Sequence, residues 1–377
     1  MTAGSRQQAG NHLIFLHFFF FICCLFFNSN TSFAQSKSNG WNIGANIHYG
    51  FILSHHHNMG HLVRGHTPAY EITVSKQTFG DKYWQQHYKY PVIGYSFIFI
   101  DLRNNDQLGS AFAIYPHISF PQNRQRKFMR YFKIGCGAGY ITKVFDRIEN
   151  NKNNAIGSHI NVFISFMYGF KWNVHRNLSI DGGLSFMHFS NASFTAPNLG
   201  INIPTLQLGA TWKFNDGKEI YKKDSIAPPR ERKWHYSVIL SGGLKEISPA
   251  GGAKYGIGSL NAEVIKPVSR KSRIGLGLDI FYDASIEKKL KSNSADYSGI
   301  FATVRPGLHF HYELKISEFS MLFDVGSYLY TRWKEDGYIY ARTGVRYRIN
   351  KNWLVGVSLK THKFKADFAE WGIGYEF

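Results

Sequence analysis

Side chains at positions i, i+2 and i+4 of a strand share one face, and this chain repeats that period along most of its length. From Ile160 the even positions read Ile160, Val162, Ile164, Phe166, Tyr168, Phe170 and Trp172. The odd ones hold Asn161, Phe163, Ser165, Met167, Gly169, Lys171 and Asn173. From Ile274, the residues Leu276, Leu278, Ile280 and Tyr282 alternate with Gly275, Gly277, Asp279 and Phe281. From Val304, the residues Leu308, Phe310, Tyr312, Leu314 and Ile316 alternate with Arg305, His309, His311, Glu313 and Lys315. One face is long and aromatic; the other carries charges and glycines. About sixteen such segments can be counted, an even number, as bacterial barrels prefer. Their lengths approach the ~9–11 residues that cross a bilayer. Too many strands present an apolar face for all of them to pack into one soluble core. In lipid, only closure satisfies every backbone group of a sheet. The expected fold is therefore all-β, an antiparallel transmembrane β-barrel.

The chain ends Trp371-Gly-Ile-Gly-Tyr375-Glu-Phe377, and an aromatic at the chain end is similar to the assembly signal of outer-membrane barrels. Short turns such as His175-Arg176-Asn177 and Asn350-Lys351-Asn352 suit the periplasmic side, and longer polar stretches suit extracellular loops. A polar break at 215–232, containing Pro228-Pro229, reads as a linker with about eight strands on either side. Gly169 to Leu178 parallels Gly344 to Trp353, which suggests duplication of an eight-stranded unit. One large barrel and two small ones both fit this pattern. The expected division is 1–34 leader, 35–214 first unit, 215–232 linker and 233–377 second, non-catalytic unit.

The N-terminus supplies the compartment. Arg6 precedes an apolar run from Leu13 to Phe27, and Thr31-Ser32-Phe33-Ala34 puts small residues at the −3 and −1 positions of a cut before Gln35. That is the layout of a cleaved signal peptide, and the run is shorter than the ~20 residues of a spanning helix. No small residue precedes Cys23, which argues against a lipoprotein. Cys23 and Cys24 leave with the leader, and Cys136 alone remains, so no disulfide framework or cysteine metal site is available. Few charges (18 %) with many aromatics (16 %) suit a barrel with aromatic girdles. The net charge of +19 comes without a basic helix or a nucleic-acid motif. Exported positive charge fits anionic lipid headgroups or phosphorylated lipopolysaccharide better than nucleic acid.

Chemistry concentrates in Phe186-Met-His188-Phe-Ser190-Asn191-Ala192. His188 and Ser190 continue the apolar stripe of Ile180, Gly182, Leu184 and Phe186, opposite Ser179, Asp181, Gly183 and Ser185. They sit where the stripe should leave lipid, at the extracellular end by strand count, and an uncompensated polar side chain there is costly. A serine with a histidine beside it has a general base at hand. The plainer reading is that the pair marks the strand's exit from the membrane.

The stretch His188-Phe-Ser190-Asn191-Ala192-Ser-Phe-Thr-Ala-Pro197-Asn198-Leu-Gly200-Ile-Asn202 resembles the signature of the PagL family of outer-membrane lipid A 3-O-deacylases. That family is an eight-stranded barrel whose His-x-Ser pair, Asn-Ala and Pro-Asn-x-Gly lead to a triad glutamate. The resemblance covers about residues 36–214 and is sharp over 188–202. It implies Ser190 as nucleophile, His188 as general base, Asn198 and Asn191 on the oxyanion side, and no cofactor or metal. Asn202 stands at the glutamate position. An asparagine can still accept from the histidine N–H, but it cannot stabilise the imidazolium by charge. The second half has His362 but no matching serine.

Ser54 to His66 holds five histidines, His55, His56, His57, His61 and His66. They could bind a divalent metal, or simply form a loop touching lipid phosphates; no carboxylate lies among them. Asn191-Ala-Ser193 matches a glycosylation sequon, a chance match in a bacterial envelope. No phosphate loop or dinucleotide fingerprint is present. The runner-up function is a non-catalytic barrel, a pore or a surface-interaction protein with a degenerate motif. Phospholipid hydrolysis by the same dyad is a third reading. His188 Nε2 within hydrogen-bond reach of Ser190 Oγ, both outside the barrel, would favour the enzyme, and a wide, open lumen lined by charges would favour the pore.

Overall fold

The computed structural model describes residues 40–122, 127–214, 220–223, 231–293, 299–363 and 365–377. The leader read in 1–34 and most of the linker read in 215–232 lie outside them. Two closed antiparallel barrels result, each of eight strands in sequence order. The first holds β1 (Trp41–Phe51), β2 (His66–Gln77), β3 (Val92–Asn104), β4 (Gly109–Pro121), β5 (Phe128–Ile141), β6 (Ile160–Asn173), β7 (Leu178–Ser190) and β8 (Ile201–Lys213). It closes where β1 pairs with β8, with Ala45 opposite Ala210 and Ile47 opposite Leu208. The second holds β9 (His235–Glu246), β10 (Lys254–Pro267), β11 (Ser272–Asp283), β12 (Val304–Ile316), β13 (Phe319–Tyr328), β14 (Ile339–Arg348), β15 (Trp353–His362) and β16 (Lys365–Glu376). It closes between β16 and β9, with Ile373 opposite Leu240. Packing groups residues 192–198, from the loop after β7, with the second unit.

Alternation assigns the faces. In β6 the even residues from Phe166 to Trp172 are exposed while Phe163, Ser165 and Met167 are buried. In β11 and β12 the residues Leu276, Leu278, Ile280, Leu308 and Phe310 point out, and Arg273, Asp279, Arg305, His309 and His311 point in. The outward face of the first barrel carries aliphatics at mid-height, Leu184 and Leu206 being 65 % and 66 % exposed. Aromatics flank them, with Trp41, Trp172 and Trp212 at one end and Tyr49, Phe51 and Tyr140 at the other. That is the surface a bilayer selects. No described helix is long and apolar enough to cross a membrane; the strands supply the apolar surface.

Eight strands leave an interior just wide enough for side chains to fill, and both barrels are filled. At the end of the first barrel where β7 finishes, the interior is an apolar plug that includes Ile98, Ile100, Phe163, Met187, Phe189, Ile201 and Ile203. Farther down it turns polar around Glu71, which is buried against Lys133 and His48.

Candidate functional site

The site stands on the outer wall at the finishing end of β7. His188 lies directly across the β7–β8 ladder from Asn202, as Phe189 does from Ile201. Ser190 lies across the other ladder from Val162. The intervening odd residues Met187, Phe189, Ile201 and Ile203 enter the apolar plug and are fully buried. Phe189 packs on Phe163 with ring centroids 4.8 Å apart. A wall anchored from behind by such residues holds the polar residues on its front in place, because close-packed interiors resist small displacements.

Two loops support this wall. Leu53 N–H donates to Asn202 O at 2.8 Å, tying the segment after β1 to β8. Gly200 N–H donates to Ala155 O at 3.0 Å, tying the start of β8 to the loop between β5 and β6. Gly200 has φ +81°, the left-handed region, and a Cβ there would lie 3.0 Å from His188 Cε1. The absence of a side chain lets the backbone approach the imidazole.

His188 and Asn202 are joined: His188 Nδ1 lies 2.6 Å from Asn202 Oδ1. An amide oxygen can only accept, so Nδ1 carries the proton and Nε2 keeps its lone pair. Asn202 Nδ2 lies 3.1 Å from His55 Nδ1, and His55 Nε2 lies 3.0 Å from Leu199 O. Ser190 is nearly buried, 8 % exposed, and no hydrogen bond joins its Oγ to His188. Asn191 is buried, and its Nδ2 donates to Ser158 Oγ at 2.8 Å. Asn198 belongs to the segment that groups with the second unit.

The five histidines of 55–66 go different ways. His55 turns to Asn202, His61 Nε2 lies 2.7 Å from Lys152 O, and His66 Nδ1 lies 3.3 Å from Gly50 O. His55 is the site residue that the sequence did not single out. It was visible only as part of a histidine-rich stretch, and nothing local connects it to Asn202, 147 positions away. His362, the counterpart sought in the second half, faces inward and is bonded to Tyr328 OH at 2.8 Å.

Residues 69–211 match the family model for lipid A 3-O-deacylase (PagL). The first barrel belongs to the PagL family. The matching model describes a lipid A deacylase domain, and the family implies lipid A as substrate. Residues 234–377, which include all eight strands of the second barrel, match the acyloxyacyl hydrolase C-terminal domain. Solved structures resemble the chain more distantly. Neisserial surface protein A aligns at 12 % identity with a TM-score of 0.34, over 48 % of this chain and all of that one. A mutant Rhodopseudomonas blastica porin aligns at 7 % with a TM-score of 0.18, over 89 % and 99 %. The KdgM porin aligns at 8 % with a TM-score of 0.18, over 88 % and 98 %. No curated protein matches the chain. His55 lies outside the residues that match the PagL model.

Proposed function

We propose that the PagL-family barrel hydrolyses the ester-linked acyl chain at the 3-position of lipid A, with Ser190 as nucleophile and His188 as general base. The observation that carries this reading is the 2.6 Å pairing of His188 Nδ1 with Asn202 Oδ1. It leaves Nε2 free to take a proton, on the same wall face as Ser190.

Ser190 Oγ attacks the acyl carbonyl carbon while His188 Nε2 takes the hydroxyl proton. The oxyanion is held by backbone N–H groups just after Ser190, with the Asn198 amide as a second donor. Collapse breaks the ester bond, and His188 hands its proton to the departing sugar oxygen. Water, deprotonated by His188, then hydrolyses the acyl-enzyme. The chain uses no cofactor in this cycle. The missing Ser190–His188 hydrogen bond closes when substrate binds, as catalytic hydrogen bonds often tighten only in the Michaelis complex.

The height of the site supports a lipid substrate. His188 is four residues beyond the most exposed aliphatic of β7, Leu184. At ~3.3 Å per residue along a strand tilted by roughly 40°, that is about 10 Å above mid-membrane. The esters of a lipid anchor lie near that boundary. The filled interiors give the pore reading no support.

We also propose that residues 1–34 are a signal peptide cleaved before Gln35, which would place the barrel in the outer membrane. The catalytic unit would then span 35–214, followed by a linker to 232 and a second, non-catalytic unit. Mass spectrometry of lipid A from a heterologous Gram-negative host tests the activity. Wild type should remove one 3-linked acyl chain, and Ser190→Ala at matched outer-membrane levels should remove none. Equal spectra from two folded proteins would sink the proposal. Loss of a phospholipid acyl chain instead would keep the dyad and change the substrate.

A further inference from the structure

A carboxylate and a carboxamide differ in a way that matters at position 202. Glutamate offers an oxygen to a neighbouring histidine whichever way it turns, but asparagine has an accepting end and a donating end. If Asn202 presented its NH2 to His188, Nδ1 would have to accept and the proton would sit on Nε2. His188 would then have no lone pair for Ser190. In serine hydrolases, an asparagine that holds the histidine in that wrong tautomer costs ~10⁴ in kcat.

His55 supplies a reason for the amide to point one way. Its Nε2 lies 3.0 Å from Leu199 O, an atom that can only accept, so Nε2 carries the proton of the neutral ring. Nδ1 is then an acceptor, and 3.1 Å away it meets Asn202 Nδ2. With Nδ2 committed to His55, Oδ1 faces His188. Leu53 O also lies 3.2 Å from His55 Nδ1. A doubly protonated ring would donate to both carbonyls, and Asn202 would have to turn its oxygen toward it. The arrangement needs the neutral ring.

We propose that His55 is a positioning residue that fixes the Asn202 amide and, through it, the His188 tautomer. It does by orientation part of what a glutamate does by charge. This rests on the reading of Ser190 and His188 as a dyad, although the tautomer itself can be measured without it.

The test uses the full chain in detergent micelles with ¹⁵N-labelled histidine. The His188 signal is identified by its loss in His188→Gln, and deacylation is followed on purified lipid A. Wild type should show His188 protonated at Nδ1. His55→Lys, which can only donate, should turn the amide and move the proton to Nε2. Its kcat should fall on the order of 10²-fold or more, within the ~10⁴ limit of a wrong tautomer, while KM stays put. His55→Ala should lose less. His55→Glu, which can only accept, should recover most of the His55→Ala loss and restore the Nδ1 tautomer. In an Asn202→Glu background the His55→Lys loss should shrink at least about ten-fold, because a carboxylate has no wrong way round. Equal losses in both backgrounds, or an unmoved tautomer in His55→Lys, would overturn the proposal. Wild type inactive on lipid A, with the tautomer still governed by residue 55, would overturn the deacylase reading and leave the role of His55 standing.

Discussion

The two barrels share strand number, order and outward apolar surface, and they differ in where they keep their polar residues. The first has a small interior cluster, with Glu71 held by Lys133 at 2.7 Å, His48 at 3.1 Å and Tyr115 at 2.6 Å. Above it lies an apolar plug, and the polar residues of the site stand on the outer wall. The second barrel is filled with charge. Arg342 meets Asp279, Asp324 and Glu370 at 3.3, 3.4 and 2.9 Å, and Arg346 grips Glu263 with both nitrogens at 3.0 and 3.1 Å. Lys245 lies 2.6 Å from both Asp283 and Asp367. A polar group inside an eight-stranded barrel is walled off from lipid by the strands. One on the outer wall near the membrane boundary can meet a lipid. The contrast separates polar residues shut inside a barrel from polar residues placed where a lipid can reach them.

The largest expected effect falls on the outer wall of the first barrel. Ser190→Ala and His188→Ala should each lower deacylation by ~10³-fold or more, because the members of such a unit fail together. Folding, read by heat-modifiable migration on gels, should be unchanged. A second test sets the two interiors against each other. Arg342→Met leaves three carboxylates short of their shared partner and should cost about 3–5 kcal/mol of unfolding free energy in detergent. Lys133→Met leaves Glu71 its histidine and tyrosine partners, so its cost should be nearer ~1–3 kcal/mol. The reverse order would mean that the first barrel depends more on its ion pair than the second does on its network.

The outer surfaces, by contrast, should behave alike. Leu206→Arg in β8 and Leu276→Arg in β11 each put a charge on a strongly exposed aliphatic position. Each should cost about 2–4 kcal/mol if both barrels meet the bilayer at that height. A negligible cost in one of them would remove that barrel from the membrane.

Much of this could be read from the residues. Lipid on one side imposes the same demand on every strand, so the alternation in Ile160–Trp172 or Ile274–Tyr282 already assigned the two faces. The site was legible to the extent that it is local. His188 and Asn202 are cross-strand partners either side of one loop, so their spacing carries their geometry. The number of barrels was not legible, because neighbour pairing is the same in one barrel or two. The difference lies in which strands close, β1 on β8 and β16 on β9. His55 was hidden for the same reason. Closure brings the end of β1 beside the start of β8, and only then does His55 meet Asn202.

The smallest effect, and the finest test of how the site is held, lies at Gly200. Alanine there keeps φ at +81° only at a cost of about 1–2 kcal/mol, the usual price of a left-handed residue with a Cβ. The new methyl would stand 3.0 Å from His188 Cε1 and 3.1 Å from Phe189 O. The carbonyl is fixed in the wall, so the ring must give by a few tenths of an ångström. A displacement of that size stretches the bond to Asn202 and re-aims Nε2, and misplacement by ~1 Å can cost 10²-fold. Gly200→Ala should therefore lower kcat by roughly ten-fold on that scale, with a midpoint shift far smaller than that of Arg342→Met. A loss of stability with kcat intact would show that the glycine serves the turn alone. A loss of kcat without loss of stability would show that the close approach of this backbone to His188 is what keeps the ring in line.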